Sequence, residues 1–171
     1  MKTTPGGAKP DRRKLLMTSL AGAAALPLLP SRAAACRVPL DRAAYDRYVA
    51  LFNAGDPRFT NHYADGVKFV MNIHGKAGVL NFYARQRPYV KELLEVLFFC
   101  SDATGAAAEV RGEFRCIKDC DDTTIFGRAL KAGEVQRTHG YLLYVLNAHG
   151  MITEIKGPPP DILQPWRIET A

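Results

Sequence analysis

Residues 108–117 alternate between two kinds of side chain, and this alternation constrains the fold more than any other part of the chain. Glutamate and arginine occupy one set of positions, and apolar or small residues occupy the other: Glu109, Arg111, Glu113 and Arg115 against Val110, Gly112, Phe114 and Cys116. A period of two with one apolar face indicates a strand of an antiparallel sheet whose other face meets solvent. We therefore interpret the charged row as a solvated face with neighbouring opposite charges, rather than as a row of active-site residues.

Further strands are predicted on both sides of this segment. Residues 93–101 are apolar enough to be buried on both faces or to pack in an oligomer interface. Residues 135–147 are predicted to form a long strand. A hairpin turn at Asn147 to Gly150 follows, and residues 151–156 are predicted to form the returning strand. The tail that follows contains Trp166, the only tryptophan of the chain, and is expected to pack back on the domain.

The N-terminal part of the domain shows helical periodicity instead. Asp41 is a good N-cap, and apolar side chains follow it on one helical face, at Tyr45, Tyr48, Val49 and Phe52. Gly55 is suited to end this helix in the left-handed conformation, and Asp56-Pro57 begins a second short helix. Residues 67–74 are predicted to form a strand and residues 75–87 a third helix. The predicted fold class is α+β, with three helices before a run of antiparallel strands.

The first 35 residues are interpreted as a twin-arginine signal peptide. Arg12-Arg13 precedes a mildly hydrophobic stretch, residues 15–29, which is too short and too weak to span a membrane, and small residues follow it. We therefore expect export to the periplasm by the twin-arginine route and a mature domain of residues 36–171. Cys36 directly follows the predicted cleavage site, so attachment of a lipid anchor to this residue is an alternative that the sequence leaves open.

The distribution of charge argues against nucleic-acid binding. The chain has a net charge of +6, but the first 35 residues carry +5 of it. The mature domain is therefore close to neutral and lacks the basic surface of a nucleic-acid binder. The sequence also contains no uninterrupted apolar run of membrane-spanning length, so no internal transmembrane helix is expected.

Three further cysteines lie in the mature domain, at Cys100, Cys116 and Cys120. Cys116 and Cys120 are close enough in sequence to form a disulfide if the backbone turns between them, and two free thiols are the alternative. No second Cys or His pair follows at a zinc-like interval. We therefore expect no metal site.

Four short motifs follow one another along residues 41–156, at 47–56, 63–67, 75–83 and 147–152. They resemble, in order, the first helix and its exit, the entry to the first strand, the G-x-x-x-I-x-x-F-Y helix and the final hairpin of the nuclear transport factor 2-like superfamily, which includes SnoaL-like proteins and ketosteroid isomerases. The resemblance implies a cone-shaped barrel, in which a strongly bent, mostly antiparallel sheet wraps around three N-terminal helices. It also implies an apolar pocket at the open end of the cone.

The same resemblance suggests which residues could take part in catalysis. Tyr48 matches the tyrosine that donates a hydrogen bond to the oxyanion in ketosteroid isomerases. Their carboxylate base falls on Met71 or Asn72 here, and their protonated aspartate falls on Leu142. We therefore do not expect steroid isomerisation by that mechanism.

Other proton-transfer chemistry remains open in such a pocket. Strand parity turns Tyr144 inward, whereas His139 would need a β-bulge to enter. The candidate hydrogen-bond donors are thus Tyr48 and Tyr144, and the candidate base is His74 or His139. The residues expected to bind the ligand are Phe52, Phe69, Met71, Tyr83, Phe99 and Leu142.

Two hypotheses about function follow. The first is an exported SnoaL-like enzyme that binds a small apolar or aromatic molecule and catalyses proton transfer of the isomerase, dehydratase or lyase type, without a cofactor. The second is a non-catalytic ligand-binding or assembly module of the cell envelope, in which the apolar strand Val96 to Phe99 pairs two copies into a homodimer. The two differ in whether a titratable side chain points into the pocket.

Overall fold

A seven-stranded mixed sheet dominates residues 38–169, the part of the chain that this computed structural model describes. Its strands are β1 (Tyr63–Phe69), β2 (Ile73–His74), β3 (Val90–Ser101), β4 (Gly105–Cys116), β5 (Glu134–Leu146), β6 (Ile152–Lys156) and β7 (Asp161–Ile168). Their order is β2-β1-β6-β5-β4-β3, with β7 also paired to β5. Only β1 and β6 are parallel among these described strands. The sheet they form is open, with β2 and β3 at its edges, and has the α+β class expected from the sequence.

The predicted signal peptide, residues 1–35, and the candidate lipid anchor Cys36 lie outside the described residues. The predictions of export and of lipidation therefore stay predictions.

Strand β5 pairs with two different strands along one edge. Its first half, Glu134 to His139, pairs with β7, and its second half, Leu143 to Leu146, pairs with β6. Strand β4 pairs with β5 along the opposite edge. The tail around Trp166 therefore does return to the domain, and it does so as a strand that the sequence analysis did not predict.

Helix α1 (Arg42–Asn53) begins and ends as its sequence predicts. The Asp41 carboxylate accepts a hydrogen bond of 2.7 Å from the backbone N–H of Ala44, which caps the N-terminus. Gly55 has a φ of 72°, so it takes the left-handed position that ends many helices. Its N–H donates to the carbonyl of Phe52, and the N–H of Asp56 donates to that of Leu51.

The other helical segments are short. A 3₁₀ helix (Pro57–His62) follows α1, α2 (Gly75–Gln86) precedes β3, and α3 (Thr123–Phe126) lies between β4 and β5. Helix α1 contacts β3, and α2 contacts β1, so the helices cover one face of the sheet. None of the helices in the described part of the chain is long and apolar enough to cross a membrane.

The prediction of one continuous strand over residues 67–74 is wrong, both in where the strand starts and in its continuity. Strand β1 begins at Tyr63, and a tight turn over residues 70–72 separates it from β2. Met71 and Asn72 take the left-handed conformation there, with φ of 61° and 57°. The turn folds β2 back on β1, which pairs Lys68 with His74. The apolar alternation simply continues through the turn, so it gave no sign of the reversal.

The core lies between the helices and the sheet and is rich in tyrosine. Tyr45, Tyr63 and Tyr144 are all fully or almost fully buried in it. Tyr45 and Tyr144 share a hydroxyl–hydroxyl hydrogen bond of 2.9 Å. Aromatic rings from α1, the 3₁₀ helix and α2 meet edge to face nearby, for example Phe52 with Phe59. Burying a hydroxyl requires such a partner, and the pairing explains how this core accommodates so many tyrosines.

Candidate active site

A cavity of about 590 Å³ lies between helices α1 and α2 and the sheet. This volume is typical of small-molecule sites. Most of its wall is apolar or aromatic, and the residues concerned include Phe52, Phe69, Phe82, Leu94, Val110, Phe114, Phe126, Leu142, Ile155 and Trp166. The cavity can therefore bury a largely apolar molecule.

Within residues 38–169, one carboxyl group, that of Glu92, faces this apolar space. The Gln86 side-chain amide donates a hydrogen bond of 2.9 Å to its Oε2 atom. Burial raises the pKa of Glu92 from 4.5 to about 7, although the Gln86 hydrogen bond and the charge of Arg87 act in the opposite direction. Among the described residues, no Lys, Arg or His lines the cavity. Glu92 is therefore poised to hold or release a proton near neutral pH.

The position of Glu92 follows from the register of β3. The strand begins at the buried Val90, so Glu92 and Leu94 face the same side two and four residues later. Glu92 is the cross-strand partner of Phe114, which also lines the cavity. The apolar run predicted the start of this strand at Leu93, and Glu92 was therefore missed. Starting the alternation at Val90 would have found it.

Two tyrosine hydroxyls accompany Glu92. Tyr48 and Tyr83 both line the cavity, and burial, together with the nearby charge of Glu92, raises the pKa of each above its usual value. Both therefore stay protonated at neutral pH and can donate hydrogen bonds. The hydroxyl groups of Tyr48 and Tyr63 share a hydrogen bond of 2.8 Å. The Tyr83 hydroxyl has no hydrogen-bond partner among the described residues and stays free for a ligand.

Several solved structures share this arrangement of helices and sheet. The Δ5-3-ketosteroid isomerase of Mycobacterium sp. aligns with a TM-score of 0.52 at 18% sequence identity, over 68% of this chain and 89% of that one. A SnoaL-like polyketide cyclase of Agrobacterium tumefaciens strain C58 aligns with a TM-score of 0.50 at 16% identity, over 67% and 86% of the two chains. The chain has the nuclear transport factor 2-like fold.

A third structure with this nuclear transport factor 2-like fold is a computationally designed 17-OHP binder, with a TM-score of 0.53 at 17% identity over 67% of this chain and 87% of that one. Comparisons with protein-family models and with curated protein sequences find no match. The likeness to known proteins therefore rests on the fold, and the residues of the site have to be judged by their own geometry.

Within the nuclear transport factor 2-like fold, most residues predicted to bind a ligand do line the cavity. They are Phe52, Phe69, Met71, Tyr83 and Leu142. Tyr48, which was predicted as a hydrogen-bond donor in catalysis, lines the cavity as well. Met71 stands in the turn after β1 and is 65% exposed, so it lies at the rim rather than on an inward strand face. Phe99 is not part of the wall, because its ring stacks on Tyr45 at 4.3 Å.

The remaining predicted catalytic residues lie elsewhere. Tyr144 is buried beside Tyr45 and does not line the cavity. His74 is exposed at the start of α2. His139 faces the other side of the sheet, where its Nε2 lies 2.7 Å from Oε1 of Glu109. The bulge that His139 would need is absent from the β4–β5 ladder, whose described pairing is regular from Gly105 to Arg115. The structure thus brings Tyr48 to the cavity and leaves the other three outside it.

Proposed function

We propose that this chain binds a small, uncharged, largely apolar molecule in the cavity and that Glu92 moves a proton on it. The observation that carries the proposal is a carboxyl group enclosed by apolar side chains and held by Gln86. A general base works best when its pKa is close to the working pH, and burial is how proteins raise a glutamate to that range. The absence of basic side chains from the described wall favours an uncharged ligand.

The proposed reaction is proton transfer next to a carbonyl group. The Glu92 carboxylate takes a proton from the carbon beside the carbonyl, and the electron pair of the broken C–H bond moves toward the carbonyl oxygen to give an enolate. The Tyr83 hydroxyl donates a hydrogen bond to that oxygen and stabilises the charge. When the ketone carries a β,γ double bond, the product of this step is a conjugated dienolate. Protonated Glu92 then returns the proton to its γ carbon, the double bond moves to the α,β position, and the carbonyl re-forms, which completes an isomerisation. These steps use only side chains of this chain and need no cofactor.

Relatives in fold support this class of reaction. A ketosteroid isomerase and a SnoaL-like polyketide cyclase share the fold. Glu92 differs from the bases that the sequence analysis considered, His74 and His139, and it replaces both in the proposal because neither lines the cavity.

The test is hydrogen exchange on a neutral ketone. β-Tetralone in deuterated water exchanges its acidic C–H protons, and NMR follows the loss of signal. The protein should accelerate this exchange, with a rate that rises with pH through about 7, and Glu92→Gln should lower the acceleration on the order of 10² or more. Glu95→Gln is the matched control, because Glu95 is on the same strand, exposed and paired with Arg111. Equal rates for the wild type and Glu92→Gln would remove Glu92 from the chemistry.

A second candidate function, assembly into a homodimer, has its own observation. Phe98 and Tyr141 both flank Glu109 as cross-strand partners, and they are 56% and 52% exposed. Tyr141 also borders the cavity. Leu143, 51% exposed, follows on the same face. An apolar strip of this kind suits a second copy of the chain. Sedimentation should show a dimer that Phe98→Glu dissociates and Leu163→Glu, an exposed site on β7, leaves intact, whereas a wild-type monomer would contradict the assembly.

We also propose that the chain is exported to the periplasm, as its N-terminal sequence suggests. Arg12-Arg13 and the mildly hydrophobic stretch after it support the twin-arginine route. Replacing both arginines by lysine should keep the full-length protein in the cytoplasmic fraction. Unchanged export of this variant would contradict the route.

A further inference from the structure

Two polar side chains of β5, Gln136 and Thr138, line the cavity away from Glu92. Neither makes a side-chain hydrogen bond to another described residue, although Thr138 is only 7% exposed. No fully enclosed side-chain oxygen or nitrogen of the described residues lacks a partner. The Thr138 hydroxyl therefore still has open space beside it, and that space is the cavity.

The sheet fixes the separation between these groups and Glu92. Glu92, Phe114 and Gln136 are successive cross-strand partners on β3, β4 and β5. Neighbouring strands lie about 4.8 Å apart, so Gln136 stands about 10 Å from Glu92 across the sheet. Both side chains face the same cavity. The cavity thus has one polar end at Glu92 and another on β5.

Glycine keeps the wall between the two ends open. Gly112 is the cross-strand partner of both Leu94 and Thr138. A Cβ atom at Gly112 would lie 2.7 Å from the Thr138 hydroxyl oxygen and 3.1 Å from the Phe114 ring. Any larger residue would push into the space beside that hydroxyl. The backbone at Gly112 therefore leaves room for a ligand to reach Thr138.

We propose that Gln136 and Thr138 form a second hydrogen-bonding subsite, which binds a hydroxyl or carbonyl oxygen at the far end of the ligand. The inference rests on the proposed function, because it places the reacting end of the same ligand at Glu92. The ligand class is an uncharged, rigid, mostly apolar molecule with one oxygen at each end, long enough to extend between two strands whose backbones lie about 10 Å apart. An analogue without the far oxygen would leave the amide and the hydroxyl desolvated and unpaired, which is how polar groups in a cavity discriminate between ligands.

The test compares two probes by titration calorimetry with the full chain. In para,para′-biphenol, two phenol oxygens lie at opposite ends of a rigid apolar body, and para-phenylphenol lacks one of them. Both can place one hydroxyl at Glu92. The wild type should bind para,para′-biphenol roughly fivefold to tenfold more tightly, the value of one additional hydrogen bond.

Variants assign the difference to the subsite. In the double variant Thr138→Val with Gln136→Leu, the ratio of the two affinities should fall toward one. In the single, isosteric variant Thr138→Val, the ratio should fall by a smaller amount. Thr153→Val is the matched control, because Thr153 lies on β6 and does not line the cavity. Its ratio should equal that of the wild type.

The outcomes separate this inference from the proposed function. Equal affinities of the two probes for the wild type, or a preference that survives in the double variant, would overturn the subsite alone. The double variant could lose the preference for para,para′-biphenol while Glu92→Gln leaves ketone exchange unchanged. That pair of results would support the subsite and contradict the role of Glu92 in proton transfer. Failure of the wild type to bind either probe, while it still accelerates ketone exchange through Glu92, would also overturn the subsite alone.

Discussion

The side-chain amide of Gln86, the last residue of α2, donates a hydrogen bond of 2.9 Å to Oε2 of Glu92 near the start of β3. Gln86 is only 2% exposed, so this contact is shielded from solvent. It orients the carboxyl group and leaves Oε1 without a hydrogen-bond partner among the described residues. The hydrogen bond joins the end of a helix to the only acidic side chain that the described residues contribute to the cavity wall.

Replacing Gln86 by Leu should raise the pKa of Glu92 above about 7. The amide stabilises the carboxylate and so lowers this pKa, which burial raises. NMR titration of the labelled glutamate carboxyl carbons measures the change. Asn81→Leu, on the exposed face of the same helix, should leave the pKa of Glu92 unaltered. An unchanged pKa in Gln86→Leu would show that the hydrogen bond does not stabilise the charged form.

Glu92 should also make the stability of the protein depend on pH. Its pKa is about 7 in the folded state and 4.5 as a free side chain, so the folded state binds more protons between these values. The contribution of Glu92 to the free energy of unfolding therefore falls as pH rises from 4.5 to about 7, by about 3 kcal/mol, and then stays constant.

Urea unfolding of the wild type and Glu92→Gln at a series of pH values tests this dependence. Glutamine stays uncharged, so Glu92→Gln should gain stability relative to the wild type as pH rises. A difference between the two proteins that stays the same across the series would contradict the raised pKa.

Gly112→Ala should destabilise the fold by about 1 to 3 kcal/mol. The new Cβ would lie 2.7 Å from the Thr138 hydroxyl oxygen, whereas a Cβ at Gly66 would meet nothing within 4 Å. Gly66→Ala is therefore the control and should change the free energy of unfolding little. Adding Thr138→Ala to Gly112→Ala should restore most of the free energy of unfolding that the glycine replacement loses. If the double variant is no more stable than Gly112→Ala, the clash lies elsewhere.

Tyr45→Phe and Tyr144→Phe should each cost about 1 to 3 kcal/mol of stability, because each leaves the other hydroxyl buried without its 2.9 Å partner. The double variant should cost less than the sum of the two single variants, since no orphaned hydroxyl remains. Denaturant unfolding measures all three. Ketone exchange should be retained, because neither residue lines the cavity. Additive costs would show that the two hydroxyls are not coupled.

Local patterns predicted most of the secondary structure. Asp41 and Gly55 marked the ends of α1, and the face of Tyr45, Tyr48 and Phe52 is the buried one. The alternation around Val110 predicted β4 and its buried side. These predictions were confirmed because caps and periodicity act over a few residues and do not depend on distant parts of the chain.

The prediction was poorer where distant contacts decide the outcome. Met71 and Asn72 form a turn that the apolar alternation did not reveal. Glu92 was missed because β3 starts at Val90, a boundary set by pairing with Cys116. Strand parity had placed His139 on the opposite face of the sheet unless a β-bulge intervened, and the described β4–β5 pairing contains no bulge.

Local propensity and the period of apolar residues predicted the fold class, the main helices, the strands from β3 to β6, and the aromatic character of the inner face. They did not predict β7, which pairs with the distant β5. Which polar groups meet in the cavity depends instead on how the helices pack against the sheet. Glu92 takes its raised pKa from the apolar side chains of α1, α2 and the sheet around it and its orientation from Gln86. Burial and hydrogen bonding arise when separate elements pack together, so no single stretch of sequence contains them.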